Sequence, residues 1–225
     1  MENSVKFKKT IEFKSNKKLK SNSKAQMFKI TLTGILLGLA VASSLIEIPV
    51  QFMGVILPLR VFDSLIIAFA IPIIGLYYTL VIGVVEPWLH LLLDGDHPPL
   101  QIFFDDIANV VFIISFYFIY YYLFKLRNKS NNLKTDVIKK VSAGLVLVPL
   151  NAVVASLAFS LTLVVLYFNP TLSRPGDYLN NIINFNNNVT KVFFILIGIE
   201  ILRFTFIYIL FSLIQRRISH IQSYY

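Results

Sequence analysis

The stretch that decides the fold is Val55–Leu93, VILPLRVFDSLIIAFAIPIIGLYYTLVIGVVEPWLHLLL. It is apolar throughout, yet it is interrupted by Pro58, Arg60, Asp63, Pro72, Gly75, Gly83, Glu86 and Pro87. As a single helix of ~39 residues it would be near 58 Å long, about twice the hydrocarbon thickness of a bilayer. Two membrane crossings fit it better, with a tight turn near Ala70–Gly75. Proline suits a first helical turn, so Pro72 is expected to open the second of the two helices. A re-entrant hairpin over the same residues is the competing arrangement.

Working outward, Phe28–Ile46 reads as a first span, and Ile30–Ile46 carries no charge. Its apolar run continues past the small-x-small pattern Ala40-Val-Ala42, which argues for a span over a cleaved leader. Gln101–Phe124, Val141–Phe168 and Val189–Ile214 are further apolar stretches. Residues 1–26, rich in Lys, Ser and Asn, read as a disordered basic tail. Residues 27–217 form the membrane domain, and 218–225 a short C-terminal tail.

Composition agrees. Of 225 residues, 56% are hydrophobic and 15% charged, and the mean hydropathy is +0.70. That leaves too little polar surface for a soluble globule. Cysteine is absent, which excludes thiol chemistry, cysteine zinc sites and iron–sulfur clusters. The net charge of +9 is not a nucleic-acid stripe. Nine of the 21 Lys and Arg lie in residues 1–29, six in 125–140, and Arg216 and Arg217 close the last span. Short basic flanks of this kind stay cytoplasmic.

Parity then sets the count. Keeping both the basic tail and the basic loop 125–140 inside requires an even number of crossings between them, so 55–93 crosses twice. The expected fold is all-α: a polytopic six-transmembrane-helix bundle in a bacterial cell membrane, with both termini cytoplasmic. The segments 47–56, 94–100 and 169–188 are then external loops.

Several polar groups sit at the outward ends of these spans. They are Arg60, Asp63, Glu86, His90, Asp105, Asp106, Asn109, Asn151, Asn188 and Lys191, interleaved with aromatics such as Phe62, Trp88 and Tyr167. Polar groups at membrane depth face a cavity or one another. An external pocket with apolar walls and a few hydrogen-bonding groups is expected. Gly34, Gly38 and Ala42 recur every four residues and give the first helix a face that another helix can approach closely. Glu200 and Arg203, three apart, can neutralise each other on one helix face. His90, Asp94, Asp96 and His97 are metal-ligand types, but Gly95 and Pro98-Pro99 mark a turn there, and no metal site is expected. No Walker A, HExxH or nucleophile-elbow motif occurs, so the expected protein does no covalent chemistry.

Taken together, these features resemble the substrate-binding S component of energy-coupling factor (ECF) vitamin transporters, and most of all its riboflavin-specific members. Asp63 within Leu59–Ile66 is similar to the family's Phe-Ser-Asp-Ile-Pro. Trp88–Leu93 is similar to Leu-Leu-His-Leu-Leu. Asp105–Val110 resembles Gly-Glu-Leu-Ala-Asn-Phe, which aligns Asn109 with a ligand-contacting asparagine. Asn188-Val-Thr-Lys191 resembles the Asn-x-x-Lys that opens the sixth helix. The departures are Ile-Pro-Ile-Ile-Gly at 71–75 where a Gly-Pro pair stands in the family, Glu86-Pro87 near the place of a missing Lys-Asn pair, and Asp105-Asp106 in place of Gly-Glu.

The resemblance implies a vitamin binder with no resident cofactor, riboflavin being the transported ligand. Its implied ligand-facing residues are Asp63, Trp88, His90, Asp105, Asn109, Tyr167, Asn188 and Lys191. It also implies docking of Gly34, Gly38 and Ala42 on a transmembrane coupling subunit that works with two cytoplasmic ATPases. A binder of folate or another vitamin, an autonomous proton-coupled transporter using Glu200, Arg203 or Asp105/Asp106, and an intramembrane metalloenzyme at His90/Asp94 are the alternatives.

Overall fold

The computed structural model describes the backbone of residues 2–94, 97–124, 126, 133–169 and 178–222, with side chains described from residue 23 onward except at 94, 133, 178–181, 186 and 216–222. Its elements are α1 (Glu2–Ser44), β1 (Glu47–Phe52), β2 (Val55–Arg60), α2 (Phe62–Ile74), α3 (Leu76–Asp94), α4 (Pro99–Phe116), α5 (Leu133–Phe168), α6 (Tyr178–Asn187) and α7 (Val189–Gln222). A π-helical segment, Tyr117–Leu123, extends α4.

Six helices close into a ring. α1 packs on α2 and α3, α3 on α4, α4 on α5, α5 on α7, and α7 returns to α2. Five helical stretches are long and apolar enough to cross a membrane: Ser23–Ser44, Leu76–Leu93, Pro99–Leu123, Lys134–Phe168 and Val189–Gln215. The expected sixth crossing falls on α2. With 13 residues, α2 is ~20 Å long, shorter than the ~30 Å hydrocarbon layer. Length and composition therefore establish five spans among the described residues.

Two local expectations are corrected. Pro72 does not open a helix but lies inside the last turn of α2. The break comes at Gly75, whose φ of 93° is open to glycine and strained for other residues. The Gly75 N–H donates to the Ile71 carbonyl, and the Gly75 carbonyl accepts the Thr79 N–H, so one residue ends α2 and starts α3. The expected loop 47–56 is half of an antiparallel hairpin in which Glu47 pairs with Arg60 and Pro49 with Pro58. Met53 and Gly54 both have positive φ, 49° and 78°, the pattern of a two-residue turn that matches strand twist. The backbone of α1 begins at Glu2. No Gly or Pro occurs in residues 1–33 to break it, and Lys and Glu are good helix formers.

Residues 125 and 127–132 of the expected basic loop, 170–177 of the last loop, Asp96 and the final three residues lie outside the described residues. The end of the last expected loop holds α6, and α7 begins at Val189.

Among the described residues there are two apolar cores. The larger lies within the ring around Ile67, Ile71, Phe112, Phe116, Tyr120, Leu147, Phe204 and Phe211. The smaller joins the hairpin to the bundle: Val55 and Leu57 pack with Phe159, Leu163 and Leu166 of α5, Ile182 and Phe185 of α6, and Val192 and Leu196 of α7. The hairpin is thereby held as a cap over one end of the ring. It is pinned further by the Asn184 side-chain amide, which donates to the Gly54 carbonyl at 3.1 Å.

Candidate functional site

Beneath the cap, between β2 and the ring, lies a cavity of about 60 Å³. It is lined by Leu57, Pro58 and Arg60 of β2, Asp63 and Ser64 of α2, Gln101, Asp105, Ala108, Asn109 and Phe112 of α4, Asn151, Ala155 and Phe159 of α5, and Glu200, Arg203 and Phe204 of α7. Its size suits a few waters. Ligand pockets commonly measure ~300–1,000 Å³.

The polar wall is built from charge pairs. Arg60 donates to Asp105 Oδ2 at 2.7 Å. Arg203 donates to both Glu200 oxygens, at 3.3 and 3.1 Å, and through its other terminal nitrogen to the Ser64 hydroxyl at 2.7 Å. The Arg203 guanidinium also lies 5.1 Å from the Phe204 ring centroid. Such pairing makes the charges tolerable inside an apolar bundle, because an uncompensated buried charge costs several kcal/mol. Compensation is incomplete: Asp63, Asp105 and Glu200 face only Arg60 and Arg203 in the lining. Glu86, on α3, is fully buried, and neither of its carboxylate oxygens has a hydrogen-bond partner among the described residues. The neutral side is held by amides. Asn109 donates to the Gly83 carbonyl at 3.2 Å, and Asn151 donates to the Leu147 carbonyl and accepts from Ser115. The wall can thus offer a polar ligand charge-assisted donors and acceptors, with Phe112, Phe159 and Phe204 as apolar surface.

A second polar cluster sits at the cap's edge. Glu47 lies 3.2 Å from His97 Nε2 and 3.4 Å from His90 Nε2, and the two imidazole rings stack at 5.4 Å. Burial pushes the Glu47 carboxyl up, but the two imidazoles and the Arg60 guanidinium outweigh it and hold it at about 2. Burial would likewise favour a neutral Arg60. Asp105, Asp63, Glu86 and Glu47 reverse this and hold the guanidinium above its ordinary range.

Of the residues singled out from sequence, the structure brings Arg60, Asp63, Asp105, Asn109 and Asn151 into the cavity wall. His90 joins the second cluster instead. Trp88 is 42% exposed on the outside of α3 and donates to Asp106 at 2.6 Å. Tyr167 is 44% exposed at the end of α5. Asn188 is the cap residue between α6 and α7, its carbonyl accepting the Val192 N–H at 2.9 Å. Lys191 is exposed on the first turn of α7. Sequence reasoning missed Ser64 and Gln101 as lining residues, and it missed Glu47 as the partner of His90 and His97. It read Glu200 and Arg203 as an isolated pair, whereas they complete the cavity wall.

On α1, Gly34, Gly38 and Ala42 are exposed. A Cβ placed on Gly34 or Gly38 would meet no packed atom within 4 Å. Two other glycines of the bundle are in use: a Cβ on Gly83 would lie 2.5 Å from Ile113 Cδ1, and one on Gly144 2.6 Å from the Tyr208 ring, whereas Gly198 of α7 is as open as Gly34 and Gly38.

A helical membrane bundle capped by a β-hairpin over a polar cavity is the class this chain falls into. Among solved structures it is similar to the S component of a bacterial ECF transporter, with a TM-score of 0.56 and 19% identity over 88% of this chain and 98% of that one. At that identity the likeness is one of fold. No protein-family model matches the chain. In sequence it is similar to two curated mycoplasma proteins. One is the uncharacterized protein MG147 homolog of Mycoplasma pneumoniae, 33% identical over 144 residues, covering 57% of this chain and 37% of that protein. The other is the uncharacterized protein MG147 of Mycoplasma genitalium, 33% identical over 108 residues, covering 45% and 28%. The chain thus matches well under half the length of those relatives.

Proposed function

We propose that this chain is the substrate-binding S component of an ECF-type transporter. It would take a water-soluble vitamin, riboflavin first among the candidates, from outside the cell for uptake driven by ATPases on other chains. The observation that carries this reading is the unused notch on α1. A subunit that must lean on a transmembrane partner needs a helix face left open, and Gly34, Gly38 and Ala42 are exposed with no packing role of their own. The S-component-like fold supports the same reading.

The ligand would enter under the hairpin. A cavity of about 60 Å³ must widen to admit a vitamin, and the cap would be the movable part: it joins the ring through two adjoining turns, one small core and the polar contacts of Glu47, Gly54 and Arg60. Phe112, Phe159 and Phe204 would flank an aromatic ring system, with Asn109, Asp63 and Asp105 at its polar edge. The test is binding by the purified full chain in detergent against a panel of riboflavin, folate and thiamine. Sub-micromolar binding of one vitamin, with co-purification of a coupling subunit, supports the proposal. No binding of any, and no partner, overturns it.

One observation favours a second reading. Glu200, Arg203 and Asp105 share a single cavity, an arrangement suited to proton-coupled transport without ATPases. Accumulation by the chain alone in liposomes under a proton gradient would select it.

A further inference from the structure

Glu47, His90 and His97 lie outside the cavity lining. They come from three elements: the start of β1, the body of α3 and the residue pair ahead of α4. Both imidazole Nε2 atoms approach the same oxygen, Glu47 Oε1, at 3.2 and 3.4 Å. One ligand-type atom from each of the three residues lies within 4.8 Å of the others. In a tetrahedral site with zinc–ligand bonds of ~2.0–2.1 Å, neighbouring donor atoms stand ~3.3–3.4 Å apart. Two edges of such a tetrahedron already have that length.

Ser44 supplies an independent indication. Its Oγ is 2.9 Å from the Val41 carbonyl and 2.9 Å from His90 Nδ1. The contact to Nδ1 holds the His90 ring with its Nε2 turned toward Glu47 Oε1, and a hydrogen bond to the far nitrogen of an imidazole is the usual support of a metal-ligating histidine. Both imidazoles are buried, and Glu47, at 23% side-chain exposure, opens the cluster to solvent.

We propose that Glu47, His90 and His97 bind a divalent transition metal, Zn²⁺ by the chemistry of two imidazoles and one carboxylate. Ser44 acts as the positioning residue that holds the His90 ring. The ion would clamp the hairpin to α3 and to the segment before α4. The test uses the full chain in detergent, stripped with EDTA and titrated with ZnCl₂ alone, with bound metal counted by elemental analysis and affinity read by calorimetry. One zinc per chain is expected. Glu47→Gln and His97→Ala should each weaken binding by at least about 100-fold and Ser44→Ala by about tenfold. Co²⁺ in place of zinc should give the intense visible bands of a tetrahedral site in the unchanged chain and lose them in Glu47→Gln. Each variant is first checked for native elution and helicity in EDTA. If His97→Ala fails that check, Glu47→Gln, which keeps the side-chain shape, carries the decision. Substoichiometric zinc in the unchanged chain, or equal affinity in Glu47→Gln, overturns the proposal.

Discussion

Glu47 and Arg60 are cross-strand partners at the open end of the hairpin, yet their charges are engaged in opposite directions. Arg60 reaches Asp105 on α4 at 2.7 Å, while Glu47 turns to His97 at 3.2 Å and His90 at 3.4 Å. One strand pair thus ties two polar clusters together, and any movement of the cap disturbs both.

The Arg60–Asp105 pair is largely buried, with side-chain exposures of 11% and 22%. Removing one partner leaves a charge without its neighbour, at a cost of about 3–5 kcal/mol for a fully buried pair and less here. Arg60→Met and Asp105→Leu should each lower the melting temperature of the detergent-solubilised protein. The double variant should recover most of the loss. Additive losses in the double variant would show that the two groups are not coupled.

Two glycine substitutions separate docking from packing. Gly38→Leu meets no neighbour within 4 Å, so it should leave the melting temperature and vitamin binding unchanged while abolishing co-purification with a coupling subunit. Gly83→Leu would drive its side chain into Ile113, 2.5 Å from where its Cβ would stand, and should destabilise the bundle itself. Loss of folding in Gly38→Leu would return the notch to ordinary packing.

The vitamin site can be located by a pair of truncations. Asn109 lies in the cavity wall with its amide anchored on the Gly83 carbonyl, whereas Lys191 is exposed at the start of α7. Asn109→Ala should weaken riboflavin binding about tenfold, or ~1.4 kcal/mol. Lys191→Ala should change it by less than about threefold, ~0.7 kcal/mol. Calorimetry showing the reverse order would move the ligand to the first turn of α7.

The cap turn carries its own signature. Met53 holds a φ of 49° and Gly54 one of 78°, and a Cβ on Gly54 would stand 2.4 Å from Asn184 Nδ2. Gly54→Ala should cost at least ~1–2 kcal/mol from the left-handed backbone alone, and more from the clash. Met53→Asn, a residue at ease in that region, should stabilise the protein slightly. Thermal melts of the two variants moving in the same direction would contradict this geometry.

The amino-acid sequence by itself determined the membrane class, the position of the principal apolar helices, the start of α7 after Asn188 and the small-residue stripe on α1. Each of these follows from local composition: length of apolar run, placement of Lys and Arg, and spacing of glycines. The hairpin was hidden because Pro49 and Pro58 look like loop residues until the register sets them opposite one another. The break at Gly75 was placed at Pro72 because proline is the louder local signal, although only the backbone conformation shows which residue turns. Only the tertiary structure decided which polar residues face inward. It gathered Asp63, Ser64, Asp105, Asn109, Glu200 and Arg203 around one cavity, and it left Trp88, Tyr167 and Lys191 on the exterior. The reason is physical: in a membrane bundle the lipid-facing and core-facing sides of a helix are equally apolar, so its rotation is set by the neighbours it packs against. No single helix carries that information.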